Sequence, residues 1–172
     1  MDESEHKFGT LNPKAPRALS RFAFLIGEFR CSAKIKMDSG HWQNFQASWH
    51  GRYVLEGYVI ADEYRMTDAA GALLVLGTNF RAYDASRRTW NIKWLNALAG
   101  TWTDLSSAEL GGVRFDGPTV TYAFKEPTAA HAYTRATYTS FSNDHFTWRG
   151  DKSTDATTWS EFMVVDCYRV AG

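Results

Sequence analysis

Two carboxylates, Asp62 and Glu63, stand side by side between Ile60 and Tyr64. Successive side chains of a strand leave on opposite faces, so one of the two must point inward. The parity of Tyr58, Ile60, Tyr64 and Met66 gives that place to Asp62. A carboxylate among such neighbours loses its hydration, which raises its pKa and suits it to proton transfer near neutral pH. The alternative is a structural pairing with a cation. Arg135 is one such cation, because a tight turn at Asn143-Asp144 would align Phe141 with Phe146 and Thr139 with Trp148 and bring Arg135 to the inner face. Glu161 is a second inward carboxylate if Trp159, Met163 and Cys167 share its face. Asp62 and Glu161 are therefore the candidates for acid–base chemistry.

The residues that could line a ligand are aromatic. Trp49, Tyr58, Tyr64, Phe80, Trp94, Trp102 and Trp148 fall on parities expected to face inward, with Asn96 among them. For any one ring, packing alone is the simpler role, but several rings around one hollow would make an aromatic cavity. Tyr58, Tyr64 and Asn96 would orient a ligand by hydrogen bonds, and Asp62, Arg135 and Asn96 would hold its polar end. The cluster Arg81, Arg87, Arg88 and Lys93 is expected to be a solvated basic turn. His6, His41, His50, His131 and His145 show no metal-ligand spacing, and no phosphate loop, nucleotide fingerprint or nucleophile elbow is present. No metal and no cofactor are expected.

Strands must position these groups. Apolar and polar residues alternate with a period of two, β-branched and aromatic residues fill the runs, and turn signals recur about every ten residues. On Phe29, Cys31, Ala33, Ile35 and Met37 one face is apolar, while Glu28, Arg30, Ser32, Lys34 and Lys36 form a polar one. The loop Asp38-Ser39-Gly40 predicts Ala33 opposite Phe45 and Phe29 opposite Trp49, and a turn at Glu56-Gly57 predicts Gly51 opposite Asp62. The most apolar parity places Leu74, Leu76, Thr78 and Phe80 inward on the following strand. About ten strands follow one another with a single helical lead-in near residues 16–22. Such a meander hides its edges best by closing. The expected fold is all-β, a single antiparallel up-and-down β-barrel of about ten strands at residues 21–172 after a lead-in at residues 1–20.

Charge and composition exclude other classes. The chain has 172 residues, with 19 Lys plus Arg against 19 Asp plus Glu, so a nucleic acid partner lacks its surplus of cations. Its longest weakly polar run, residues 69–77, is far short of the roughly 20 residues of a spanning helix. The acidic opening residues do not resemble a secretory leader, and two cysteines make no disulfide framework. A cytoplasmic protein with no membrane partner is expected. An outward apolar strip over Phe162–Val165 suggests a homodimer.

The run Phe22-Ala23-Phe24-Leu25-Ile26-Gly27-Glu28-Phe29 resembles the FxxLxGxW opening of calycin-like barrels, the superfamily of lipocalins and fatty-acid-binding proteins. Trp49-His50-Gly51-Arg52-Tyr53, Ala61-Asp62-Glu63-Tyr64-Arg65, Tyr83-Asp84 before Trp90, and Trp159 ahead of Tyr168-Arg169 extend the likeness over residues 20–170, toward a bacterial branch of largely unassigned function. Phe29 stands where that family has Trp. The resemblance implies Arg169 lying over the Phe29 ring, which would set Cys31 opposite Cys167 as two reduced, buried thiols. Some related barrels hold haem through a late His, and this chain has none after His145. The expected function is binding of a small, largely apolar or aromatic molecule in the barrel. The alternatives are a cofactor-independent lyase, isomerase or cyclase using Asp62 or Glu161, and a scaffold acting through its outer surface.

Overall fold

Gly40 reverses the chain after β1 (Gly27–Lys36): its φ is +83°, and the Met37 N–H donates to the His41 carbonyl at 2.7 Å. β2 (Trp42–Val54) pairs in the expected register, with Ala33 opposite Phe45 and Phe29 opposite Trp49. The next turn occupies four residues, 55–58, yet β3 (Val59–Thr67) still sets Gly51 against Asp62 and Trp49 against Tyr64. The computed structural model describes residues 6–126 and 132–172, and every further strand among them joins the same antiparallel sheet. These are β4 (Leu73–Asp84), β5 (Thr89–Asn96), β6 (Thr101–Asp104), β7 (Arg114–Asp116), β8 (Thr119–Lys125), β9 (Tyr133–Ser142), β10 (His145–Ser153) and β11 (Ser160–Arg169).

The sheet is curled but not closed. Its eleven strands run in the order β6-β5-β4-β3-β2-β1-β11-β10-β9-β8-β7, so β1 and β11 pair at the centre and the edges are β6 and β7. The expectation of a closed barrel is corrected to a half-barrel. Its two edges are short, β6 with four residues and β7 with three, and no ladder joins them. The chain then leaves the sheet, with Leu105 buried and a 3₁₀ turn at Ala108–Leu110. Curvature nevertheless brings β4 against β8 and β9, since Arg81 touches Tyr122 and Tyr138.

One end is plugged by the lead-in, a 3₁₀ helix over Arg17–Leu25. It buries Leu19, Phe22 and Leu25 completely, and Phe22 meets Trp90 edge-on at 4.9 Å. The plug needs Gly51, where a Cβ would fall 1.8 Å from the Leu25 carbonyl oxygen. At the β1–β11 seam Phe29 faces Arg169 and Cys31 faces Cys167, and the guanidinium stands 4.6 Å from the Phe29 ring centroid. Both thiols are buried and free.

Bulges overturn several expected orientations, because a slip of one residue exchanges the two faces of a strand. An irregularity between His145 and Phe146 sets Phe146 against Ser140, so Thr134, Ala136 and Tyr138 face inward and Arg135 faces out. A second, between Gly150 and Asp151, inserts Phe162 opposite the β10 kink; Phe162 packs against the core, and Glu161 pairs with Arg149 at 3.3 Å. The apolar strip expected over Phe162–Val165 is thereby broken, leaving Val164 between Lys34 and Arg149. On β4 the inward set is Gly77, Asn79 and Arg81, not Leu74, Leu76, Thr78 and Phe80. Trp102 pairs with Leu95 on the outer face and is 57% exposed, its ring tilted at 38° to that of Phe80 with centroids 5.9 Å apart.

Candidate functional site

A fully buried polar layer crosses the half-barrel above its plug. Arg81 Nε and Nη2 donate to Asp62 Oδ1 and Oδ2 at 2.6 and 3.0 Å. Asn79 Nδ2 and Trp49 Nε1 complete the carboxylate shell at 2.8 and 3.1 Å. On the far wall, Nη2 of Arg81 also donates to the Tyr138 hydroxyl at 2.9 Å, and Nη1 reaches Tyr122 at 3.4 Å. Burial works against the Arg81 charge, but Asp62 and the two phenols more than offset it and hold the guanidinium well above its ordinary pKa. The ring of Phe22 lies under that guanidinium at 4.5 Å.

Beyond this layer the inner wall changes character. Toward the end opposite the plug it carries Ile35, Phe45, Val75, Trp94, Trp148 and Phe162, all half-buried and packed on the core. Trp94 and Trp148 lie along the wall over glycines. A Cβ on Gly77 would come within 2.3 Å of the Trp94 ring, and one on Gly150 within 2.7 Å of the Trp148 ring. Each indole thus lies against a backbone position that has no room for a side chain. Tyr64 stands at the base, its ring 5.2 Å from Trp49, and its hydroxyl is buried without a hydrogen-bond partner. Burial, with the thiols of Cys31 and Cys167 nearby, pushes that hydroxyl well above the usual phenol range. The Cys167 thiol is likewise raised by burial and by its contact with Cys31.

The expected residues thus divide. Trp49, Asp62, Tyr64, Trp94 and Trp148 share the interior, whereas the side-chain oxygen of Asn96 accepts from the Leu98 and Ala99 N–H groups in the exposed turn after β5. Tyr58 lies in the 55–58 turn and is 39% exposed. Phe80, Trp102, Arg135 and Glu161 are on the outer face. There Arg135 and Arg149 clamp the buried Asp151 at 3.0 and 3.2 Å, and Arg135 covers Trp159 at 4.6 Å. The partner of Asp62 is therefore Arg81, expected in a solvated turn. The available signal was its place two residues from Asn79, the position directly across from Asp62. Tyr122 and Tyr138 had no such signal, because they approach from strands distant in the sheet.

Two surface clefts lie away from this wall. One, of about 500 Å³, runs between the plug and the β7–β8 hairpin beside Arg21, Phe24, Phe115 and Val120. The other, of about 240 Å³, lies on the outer face among His50, Arg52, Ala61, Glu63 and Phe80. No group of three or more potential metal ligands occurs among the described residues, nor any helix long and apolar enough to cross a membrane.

No family model and no curated protein sequence matches this chain. Among solved structures, it is similar to Rv2717c from M. tuberculosis, with a TM-score of 0.66 at 12% identity over 92% of this chain and 100% of that one. A redesigned β-barrel matches at a TM-score of 0.43 and 13% identity, covering 87% of this chain and 94% of the other. The structure of EF1p2_mFAP2b bound to DFHBI matches at 0.42 and 17%, covering 88% and 98%. At such identity the likeness to Rv2717c is one of fold.

Proposed function

We propose that this chain binds a small, largely apolar or aromatic molecule against the inner wall at the open end of a calycin-like half-barrel. The observation that carries this function is the pair of half-buried inward indoles, Trp94 against Gly77 and Trp148 against Gly150, at the end of the interior opposite the plug. Flat apolar walls with few polar groups suit a ligand pocket. The Asp62–Arg81 layer serves as its floor. Both carboxylate oxygens are already engaged and out of contact with solvent, which favours holding the floor over moving a ligand's proton. Two unpaired thiols fit a reducing, cytoplasmic setting.

Mass spectrometry of solvent extracts from the purified chain tests this function. A small apolar molecule is expected to co-purify with the wild type and to be depleted in the Trp94→Ala, Trp148→Ala double variant. Equal recovery from both proteins would refute binding at this wall.

A further inference from the structure

The Tyr64 hydroxyl is a donor with nothing to donate to. Tyr64 is only 6% exposed and its oxygen has no partner. Buried hydroxyls are nearly always bonded, and an orphan of this kind calls for a cause. Its position supplies one. Tyr64 rises from β3 opposite Gly77, the glycine on which Trp94 lies, and its hydroxyl reaches toward the wall that carries Cys31 and Cys167. The donor therefore stands between Gly77, on which Trp94 lies, and Trp49 of the polar floor.

Charge constrains the occupant further. Among the described inward residues, the ionised pair of the interior is Asp62 with Arg81, each neutralising the other. Arg169 belongs to the plugged end, bound to Asp144 and to the Ile26 carbonyl. The charges of Arg135, Arg149, Asp151 and Glu161 meet one another on the outside. An anionic head group inside would lose its hydration and gain no free cation. A neutral oxygen acceptor would satisfy the Tyr64 hydroxyl.

We propose that the ligand is electrically neutral and offers a carbonyl or ether oxygen to the Tyr64 hydroxyl. This rests on the proposed binding at the inner wall and names the class of molecule bound there. A site built around one hydrogen bond discriminates against analogues that cannot make it.

Fluorescence titration of the full chain with three naphthalene probes tests the inference. They are the neutral ketone 6-propionyl-2-dimethylaminonaphthalene, its deoxygenated propyl analogue, and the anion anilinonaphthalene sulfonate. The ketone is expected to bind most tightly, and Tyr64→Phe to weaken it about three- to tenfold, the worth of one neutral hydrogen bond, while changing the propyl analogue less than about twofold. Because Tyr64→Phe deletes an unbonded group, its folding is expected to be retained, which urea unfolding checks. If the neutral probes bind but Tyr64→Phe shifts both equally, or the sulfonate binds best, the Tyr64 assignment falls and the pocket stands. If none of the three binds, the pocket falls and the assignment with it.

Discussion

Arg81 sits diagonally across from Asp62 on the neighbouring strand and closes on both oxygens of its carboxylate, with neither residue in contact with solvent. Desolvating two ions is costly, and their attraction offsets that cost only when the remaining hydrogen-bonding capacity is filled. Asn79, Trp49, Tyr122 and Tyr138 fill it. The same guanidinium ties β4 to β9 across the interior, which an open sheet needs more than a closed one does.

Breaking this pair is therefore expected to be severe. Asp62→Asn or Arg81→Met alone should lower the free energy of unfolding by about 3–5 kcal/mol, since each leaves a charge buried and unpaired. The double variant Asp62→Leu, Arg81→Met should recover part of the loss. Urea unfolding followed by circular dichroism measures all three, and additive losses would show that the two charges do not depend on each other.

Gly150 is a bed for two rings. Its Cβ position is 2.7 Å from Trp148 and 2.9 Å from Phe162, so Gly150→Ala must displace at least one of them. A destabilisation of about 1–3 kcal/mol is expected from overpacking, together with weaker binding of any inner-wall ligand. Calorimetry and Trp fluorescence of the variant would register both.

The two faces of the sheet should answer differently to loss of a tryptophan. Trp102→Ser removes an exposed ring that makes a tilted contact with Phe80 on the outer face, and its effect on stability should stay within about 1 kcal/mol with binding unchanged. Trp94→Ala removes an inward ring and should weaken binding at least about tenfold, or about 1.4 kcal/mol. Matched titrations of the two variants decide between an inner and an outer site.

Alkali should unfold this protein early. Burial raises the pKa of Tyr64 and of Tyr138 above the ordinary 10.0, and that of Cys167 above 9.0. A raised pKa in these acids means that the folded chain keeps protons that the unfolded chain gives up. Stability is thus at its full value below about pH 9 and falls as pH rises through and beyond the unfolded values. The urea midpoint should decline across that window, and Tyr64→Phe should make the decline shallower. A midpoint independent of pH there would contradict the burial of these groups.

Where a hairpin carries its own turn chemistry and one polar face, the register is legible before folding. Gly40 and the lysines of β1 set β1 against β2, and Glu56-Gly57 carried that pairing through to Asp62 even though the turn is wider than expected. The seam of Cys31 with Cys167 followed from a resemblance and was met in the structure. Legibility ended at the bulges. The irregularity at His145 turned Arg135 outward, that at Gly150 turned Glu161 outward, and on β4 an inner face of Gly77, Asn79 and Arg81 displaced the more apolar alternative.

Alternation and turn residues alone determined that this chain forms an antiparallel meander, and that Asp62 is turned toward its interior. Those are properties of neighbours a few residues apart. Tertiary structure decided which cation answers Asp62, which tryptophans face inward, and that the sheet stays open between β6 and β7. Each of these depends on contacts between distant strands, where a single extra residue exchanges inside for outside, and where the need to neutralise a buried charge outweighs the apolarity of the strand that supplies the partner.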